Sequence, residues 1–279
     1  MKILVTGVAG QLGHEIKNMI QDHEVIGTSR NDMDITDAES VHKVIKEIRP
    51  DVVIHCAAYT KVDDAEKNSN LCYKVNVIGS QNLASATYSI GSKILFVSTD
   101  YLFDGIKNAP YTEFDIPNPL NVYGKSKLAG ESFIKELNPR HFIVRTAWLY
   151  GENGNSFVKT MLKLSKNRDV LKVVNDQRGT PTSTADLSRG ILKLIETDNY
   201  GVYHGTCKGE TTWNEFAKKI FELSNIKVNV EPISTEEFGS PALRPKYSVL
   251  RNYMYELTIG DPFREWEESL SEYIKKINV

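Results

Sequence analysis

Two short stretches carry residue types at spacings that suit redox chemistry on a small molecule. The first is Thr6-Gly7-Val8-Ala9-Gly10-Gln11-Leu12-Gly13, a T-G-x-x-G-x-x-G segment lying between a strand-like and a helix-like run. Its glycines Gly7, Gly10 and Gly13 let a turn close tightly. Backbone N–H groups then approach a pyrophosphate seated at the positive end of a helix. The second is Tyr123-Gly124-Lys125-Ser126-Lys127. On a helix, Tyr123 and Lys127 share one face a turn apart. A free tyrosine has a pKa of about 10, and an adjacent ammonium favours the phenolate and lowers that value. The pair is a workable proton donor for reducing a ketone.

Which nicotinamide cofactor would bind is decided at the end of the second strand. There the sequence reads Gly27-Thr28-Ser29-Arg30, with no acid at the strand end to hold a ribose 2′-hydroxyl. Arg30 suits the 2′-phosphate of NADPH. The alternative, NADH, would rely on Asp32.

These residues need a scaffold, and the pattern around them supplies one. Short β-branched runs at Lys2 to Thr6, Glu24 to Thr28, Asp51 to His55, Lys93 to Ser98 and His141 to Thr146 alternate with amphipathic segments. Such alternation predicts a Rossmann-type, doubly wound α/β fold with a parallel sheet. Thr36-Asp37-Ala38-Glu39 resembles a capping box opening a helix that Pro50 ends, and Leu71 to Ile90 reads as one long helix. A long loop is expected from about Thr99 to Asn121, then a helix from Tyr123 to Leu137. Beyond Gly151 the alternation loosens into helices and short strands punctuated by Pro232, Pro241, Pro245 and Pro262.

Composition excludes several other classes. The 279 residues hold 34 Lys and Arg against 36 Asp and Glu, a net charge of −2, with no basic stripe to track a nucleic-acid backbone. No apolar run approaches the roughly 18 residues of a membrane span. The start, Met1 to Val5, is broken by Thr6, Gly7 and Gly10 before a signal-peptide core forms, and reads as a first strand. The three cysteines, Cys56, Cys72 and Cys207, make no C-x-x-C pair and suit reduced thiols in a cytoplasmic protein. His14, His42, His55 and His204 lack ligand spacing and read as packing or surface residues.

With the glycine turn and Tyr123-x-x-x-Lys127 in this order, the chain resembles the extended short-chain dehydrogenase/reductase superfamily. Within it, the match is to the dTDP-4-dehydrorhamnose reductase family. That narrower resemblance rests on Ala57-Ala58-Tyr59-Thr60-Lys61-Val62-Asp63-Asp64-Ala65-Glu66, Ser98-Thr99-Asp100-Tyr101-Leu102-Phe103-Asp104-Gly105 and Pro119 to Glu131. It continues through Arg145-Thr146-Ala147-Trp148-Leu149-Tyr150-Gly151, Asn175 to Thr182, and Arg244-Pro245 followed by Ser248. The resemblance implies a catalytic trio of Thr99, Tyr123 and Lys127, with Lys127 also anchoring the nicotinamide ribose. It places Asp34 and Ile35 beside the adenine and Ala57, Ala58 and Tyr59 along the cofactor. On the substrate side it implies Thr99, Asp100, Trp148 and Arg244. The expected cofactor domain is 1–150 plus 178–205, and the expected sugar-nucleotide domain is 151–177 plus 206–279.

The implied reaction is NADPH-dependent reduction of the C4 ketone of a dTDP-linked 4-dehydro-6-deoxy sugar. Related 4,6-dehydratases place Asp-Glu directly after the threonine; here the pair is Asp100-Tyr101, which favours plain ketone reduction. Lys246-Tyr247 stands where the family usually shows a small residue and Asn. The resemblance also raises Mg2+ at a homodimer interface, with Glu15, placed in the first turn of its helix, as candidate ligand. Two alternatives stay open: a reductase of another nucleotide-linked 4-keto sugar, and a non-catalytic regulatory subunit resembling the beta subunit of methionine adenosyltransferase.

Overall fold

Runs of Val, Ile and Leu become the strands of a fully parallel sheet, because both faces are covered and no strand needs a polar side. The computed structural model describes residues 1–277. The strands are β1 (Lys2–Thr6), β2 (Glu24–Thr28), β3 (Val52–His55), β4 (Lys93–Thr99), β5 (His141–Thr146) and β6 (Gly201–His204). They lie in the order β6-β5-β4-β3-β1-β2. The chain therefore departs from β1 to one side for β2 and to the other for β3. Ligands of open α/β sheets bind outside the carboxyl ends of the strands at such a switch point. Thr6 and His55 pair in register there, which sets the glycine turn after β1 beside Cys56-Ala57-Ala58 after β3.

The helices are α1 (Gln11–Met19), α2 (Ala38–Ile48), α3 (Gly79–Ser89), α4 (Val122–Leu137) and α5 (Thr184–Ile195). Two differ from the sequence reading. Asp37, not Thr36, caps α2: its Oδ1 accepts from Glu39 N at 3.0 Å and Ser40 N at 3.3 Å. Thr36 is instead held by Asp34, whose Oδ1 accepts its N–H and hydroxyl, both at 2.9 Å. The long helix expected over Leu71 to Ile90 is interrupted. Ser69–Tyr73 is α-helical, Lys74–Ile78 is a π turn, and α3 follows.

The widened turn carries Asn76 inward, where it is buried at 1% exposure. Its Oδ1 accepts Tyr59 N at 2.8 Å, and its Nδ2 donates to Tyr59 O at 3.2 Å and Ser126 Oγ at 2.9 Å. One side chain thus joins the chain after β3 to α4. The N-terminus of α4 is held twice more: Asn121 Oδ1 accepts Gly124 N at 2.8 Å, and Glu66 Oε1 accepts Val122 N at 2.9 Å. The expected long loop before it is pinned rather than loose. Phe103 stacks on Tyr111 with centroids 4.1 Å apart, and Tyr111 bridges to Leu250.

Apolar residues gather in separate clusters. Helices α1 and α5 cover one face of the sheet with Leu12, Ile16, Leu187 and Ile191, and α2, α3 and α4 cover the other. Tyr255 and Phe263, from the tail, pack into the first of these. A second core unites the helices Phe157–Leu164, Trp213–Leu223 and Trp266–Lys276 with the parallel pair Val170–Val174 and Asn229–Ile233. A capping box, Thr212 with Glu215, starts the middle helix.

Helix α1 packs closely on the turn at Gly13, where a Cβ would lie 2.5 Å from the carbonyl oxygen of Gly7. Gly13→Ala is expected to push α1 off the turn and destabilise the fold by about 1–3 kcal/mol. A urea midpoint equal to wild type would contradict this packing.

Candidate active site

One cavity of about 870 Å³ runs along the carboxyl ends of β1 to β5. At its nucleotide end lie Gly7, Gly10, Gln11, Leu12 and Gly13. Gly7 has φ +68°, and a Cβ there would meet the backbone of Ala57 at 2.8 Å, so only glycine lets the turn approach the β3 end. The turn closes through Gly10 N donating to Gly7 O at 2.9 Å. The N-cap of α1, Gly10, offers no side-chain acceptor to the first N–H groups. They remain for an anionic ligand. The buried Gln11 Oε1 has no hydrogen-bond partner among the described residues. This cradle fits a dinucleotide.

Arg30, Asp34 and Ile35 line the same end, with Arg30 Nε 3.4 Å from Asp34 Oδ2. Hydrogen bonds from Thr36 hold the Asp34 carboxyl below its usual range, so it stays ionised. Asp32 does not line the cavity. Its Oδ2 accepts both Ser29 N at 2.8 Å and Ser29 Oγ at 2.7 Å, which closes the turn and occupies the carboxylate. Ala57, Ala58 and Tyr59 form the wall after β3. The Tyr59 hydroxyl donates to Asp64.

The other end collects Thr99, Asp100, Tyr123, Lys127 and Trp148. Lys127 is 2% exposed; its Nζ donates to Val97 O at 2.6 Å and sits 3.8 Å from the Phe96 ring centroid. Burial drives its pKa down to about 7. Burial also holds the Tyr123 phenol well above its ordinary value, with its hydrogen bond to the Thr99 side chain acting the other way. This corrects the expectation that the lysine lowers the tyrosine: desolvation dominates, and the Lys127 Nζ turns to the β4 carbonyl. A neutral phenol is the form that donates a proton.

Thr99 Oγ1 donates to Asp100 Oδ1 at 3.1 Å, and Ser248 Oγ donates to Asp100 Oδ2 at 2.6 Å. Burial raises the Asp100 carboxyl to about 6 against these bonds. Trp148 has φ +45° and stacks on Trp213 with centroids 3.5 Å apart and planes 8° from parallel. A Cβ on Gly179 would enter its ring at 2.6 Å, which explains the glycine in Gln177-Arg178-Gly179.

Two sequence-derived candidates lie elsewhere. Arg244 does not line the cavity: its Nη2 donates to Asp63 Oδ2 at 2.8 Å and Nη1 to Asp63 Oδ1 at 3.0 Å. A paired carboxylate beside it, and the Ala242 N–H on the same oxygen at 3.2 Å, fix the guanidinium against the segment after β3. Glu15 is in the second turn of α1, not the first, and Thr184 Oγ1 donates to it at 3.1 Å. Among the described residues no group of three or more His, Cys, Asp or Glu could hold a metal ion, so Mg2+ at Glu15 is not supported.

The sequence reading missed other lining residues: Thr146, whose buried Oγ1 lacks a partner among the described residues, and Gly154 and Asn155. Beside them Asn153 Nδ2 donates to Ala9 O at 2.8 Å, strapping that loop over the glycine turn. The only signal was a glycine flanked by asparagines, which marks a turn but not its destination.

Residues 1–279 match the family described as RmlD substrate binding domain. The dTDP-4-dehydrorhamnose reductase of Aggregatibacter actinomycetemcomitans is 41% identical over 285 residues, covering 96% of this chain and 97% of that protein. A crystal structure of a dTDP-4-dehydrorhamnose reductase from Clostridium acetobutylicum has a TM-score of 0.98 at 57% identity and 100% coverage of both chains. Another from Bacillus anthracis, in complex with NADP, has a TM-score of 0.97 at 48% identity and 99% coverage of each. With a glycine cradle and a Tyr-Lys pair in one cleft and this likeness along its whole length, the chain belongs to the dTDP-4-dehydrorhamnose reductase family of NAD(P)H-dependent oxidoreductases.

Proposed function

We propose that this protein reduces the C4 ketone of dTDP-4-dehydro-6-deoxy-L-mannose to dTDP-L-rhamnose with NADPH, Tyr123 delivering the proton. The observation that carries this reading is convergence: the glycine cradle and the Thr99, Tyr123, Lys127 and Trp148 side chains line one continuous cavity. NADPH is preferred because Arg30 lines its end of the cavity while Asp32 is committed to Ser29. The cofactor region is residues 1–150 with 178–205, and residues 151–177 with 206–279 form the sugar-nucleotide side.

Bound along the glycine turn, the cofactor supplies the hydride. The chain does the rest. Tyr123, held neutral by burial, gives its proton to the oxygen as charge builds on it. Thr99 turns its hydroxyl from Asp100 to that same oxygen, while Ser248 keeps Asp100 in place. Lys127 presents its ammonium beneath Tyr123, orients the ribose and steadies the phenolate left behind. Trp148, braced by Trp213, offers a flat wall to the deoxysugar.

The direct assay follows NADPH absorbance with the purified protein and dTDP-4-dehydrorhamnose. Tyr123→Phe should lower kcat about 10²–10⁴-fold with little change in KM, because the lost group acts in the transition state. Wild type that leaves NADPH unoxidised, or a phenylalanine variant as fast as wild type, would reject the assignment. Arg30→Ala should raise the KM for NADPH about tenfold and leave that for NADH nearly unchanged. Equal changes for both cofactors would remove Arg30 from 2′-phosphate recognition.

A further inference from the structure

The row of functional residues on α4 continues past the lysine. Tyr123, Lys127, Glu131 and Lys135 recur at every fourth residue and so stack along one face. Glu131 has no exposed surface. Arg145 of β5 grips it in bidentate fashion, Nε to Oε1 at 2.9 Å and Nη2 to Oε2 at 2.8 Å. Lys135 approaches from the solvent side at 3.6 Å. Arg145 is in register with Ser98, which stands between Val97, the acceptor for Lys127, and Thr99. A carboxylate buried this deeply is costly, and neither apolar packing nor the proton transfer described above requires it.

We propose that Glu131 is a positioning residue for Lys127: a fixed carboxylate, clamped by Arg145, that keeps the lysine ammonium charged and directed at the strand ends. This rests on Lys127 acting with Tyr123 as described above. Other groups around the lysine leave the task to Glu131. Burial drives His55 down to about 3 and the Cys56 thiol up to about 12, and it raises the Cys72 thiol, so all three are neutral near pH 7. Asp100 acts on Tyr123 and is engaged by Thr99 and Ser248. Among the described residues, Glu131 is then the anion acting on Lys127, and it opposes the desolvation that lowers the lysine.

The sign follows directly. The ammonium is present below the lysine's pKa and is lost as pH rises through it, so removing the Glu131 charge moves that loss to lower pH. Glu131→Gln removes the carboxylate charge and keeps the Arg145 cation; the double variant Glu131→Gln/Arg145→Gln, whose two amides can pair, guards against misfolding and removes both charges, the lost cation acting against the lost anion. In cofactor-free protein labelled with ¹³Cε-lysine, the Lys127 resonance is identified by its absence in Lys127→Met. Its titration midpoint should fall by about one pH unit in Glu131→Gln and by less in the double variant, and the loss of NADPH binding at high pH should shift with it. Glu131→Asp, which keeps the charge, should restore the wild-type midpoint. A Glu131→Gln variant that melts like wild type and titrates Lys127 like wild type, or a folded double variant whose midpoint lies at or above the wild-type value, would overturn the proposal. Wild type inactive on the sugar nucleotide would reject the reaction instead, and the lysine titration would still decide the role of Glu131.

Discussion

Burying an ammonium under the edge of a parallel sheet sets the terms for the surrounding structure. Lys127 keeps 2% of its surface, and desolvation of a lysine costs several kcal/mol unless partners replace water. The fold supplies them from different elements: the Val97 carbonyl from β4, the Phe96 ring face, and Glu131 one turn further along α4. Glu131 in turn needs Arg145 from the neighbouring strand. Helix and sheet are thereby locked in one relative position, which is the position that aligns Tyr123 with Thr99.

A second set of contacts ties the reaction end to the later part of the chain. Ser248 reaches Asp100, Arg244 reaches Asp63, and Asn121 Nδ2 donates to Leu243 O at 2.8 Å. The acids of Lys61-Val62-Asp63-Asp64-Ala65-Glu66 divide the labour. Asp63 holds Arg244, Asp64 holds Tyr59, and Glu66 caps α4. A motif that looks like a binding loop is largely a junction, bringing the β3 end, the helix bearing Tyr123 and the tail to one place. Asp63, Asp64 and Glu66 are engaged by groups of the protein and do not line the cavity.

The glycine turn, the parallel alternation and the Tyr123 and Lys127 pair were legible because each is written in neighbouring residues. A turn that needs φ > 0, a period of two or of 3.6, and a four-residue spacing are local properties. The π turn at Asn76 was not legible, because its cause is a set of partners at Tyr59 and Ser126 far along the chain. The capping of α2 was misplaced by one residue, since Thr36 and Asp37 both suit an N-cap and only the competing pull of Asp34 separates them.

By itself the sequence determined the fold class, the glycine turn and the four-residue spacing of Tyr123 and Lys127 on one helix, because those depend on local backbone and side-chain type. Tertiary structure alone decided the rest. It turned Asp32 into a brace for Ser29, withdrew Arg244 to Asp63, took Glu15 to Thr184 and kept the Tyr123 phenol neutral. The physical reason is common to all four: an ionisable or polar side chain is governed by the nearest compensating group and by its distance from water, and both are set by parts of the chain remote in sequence.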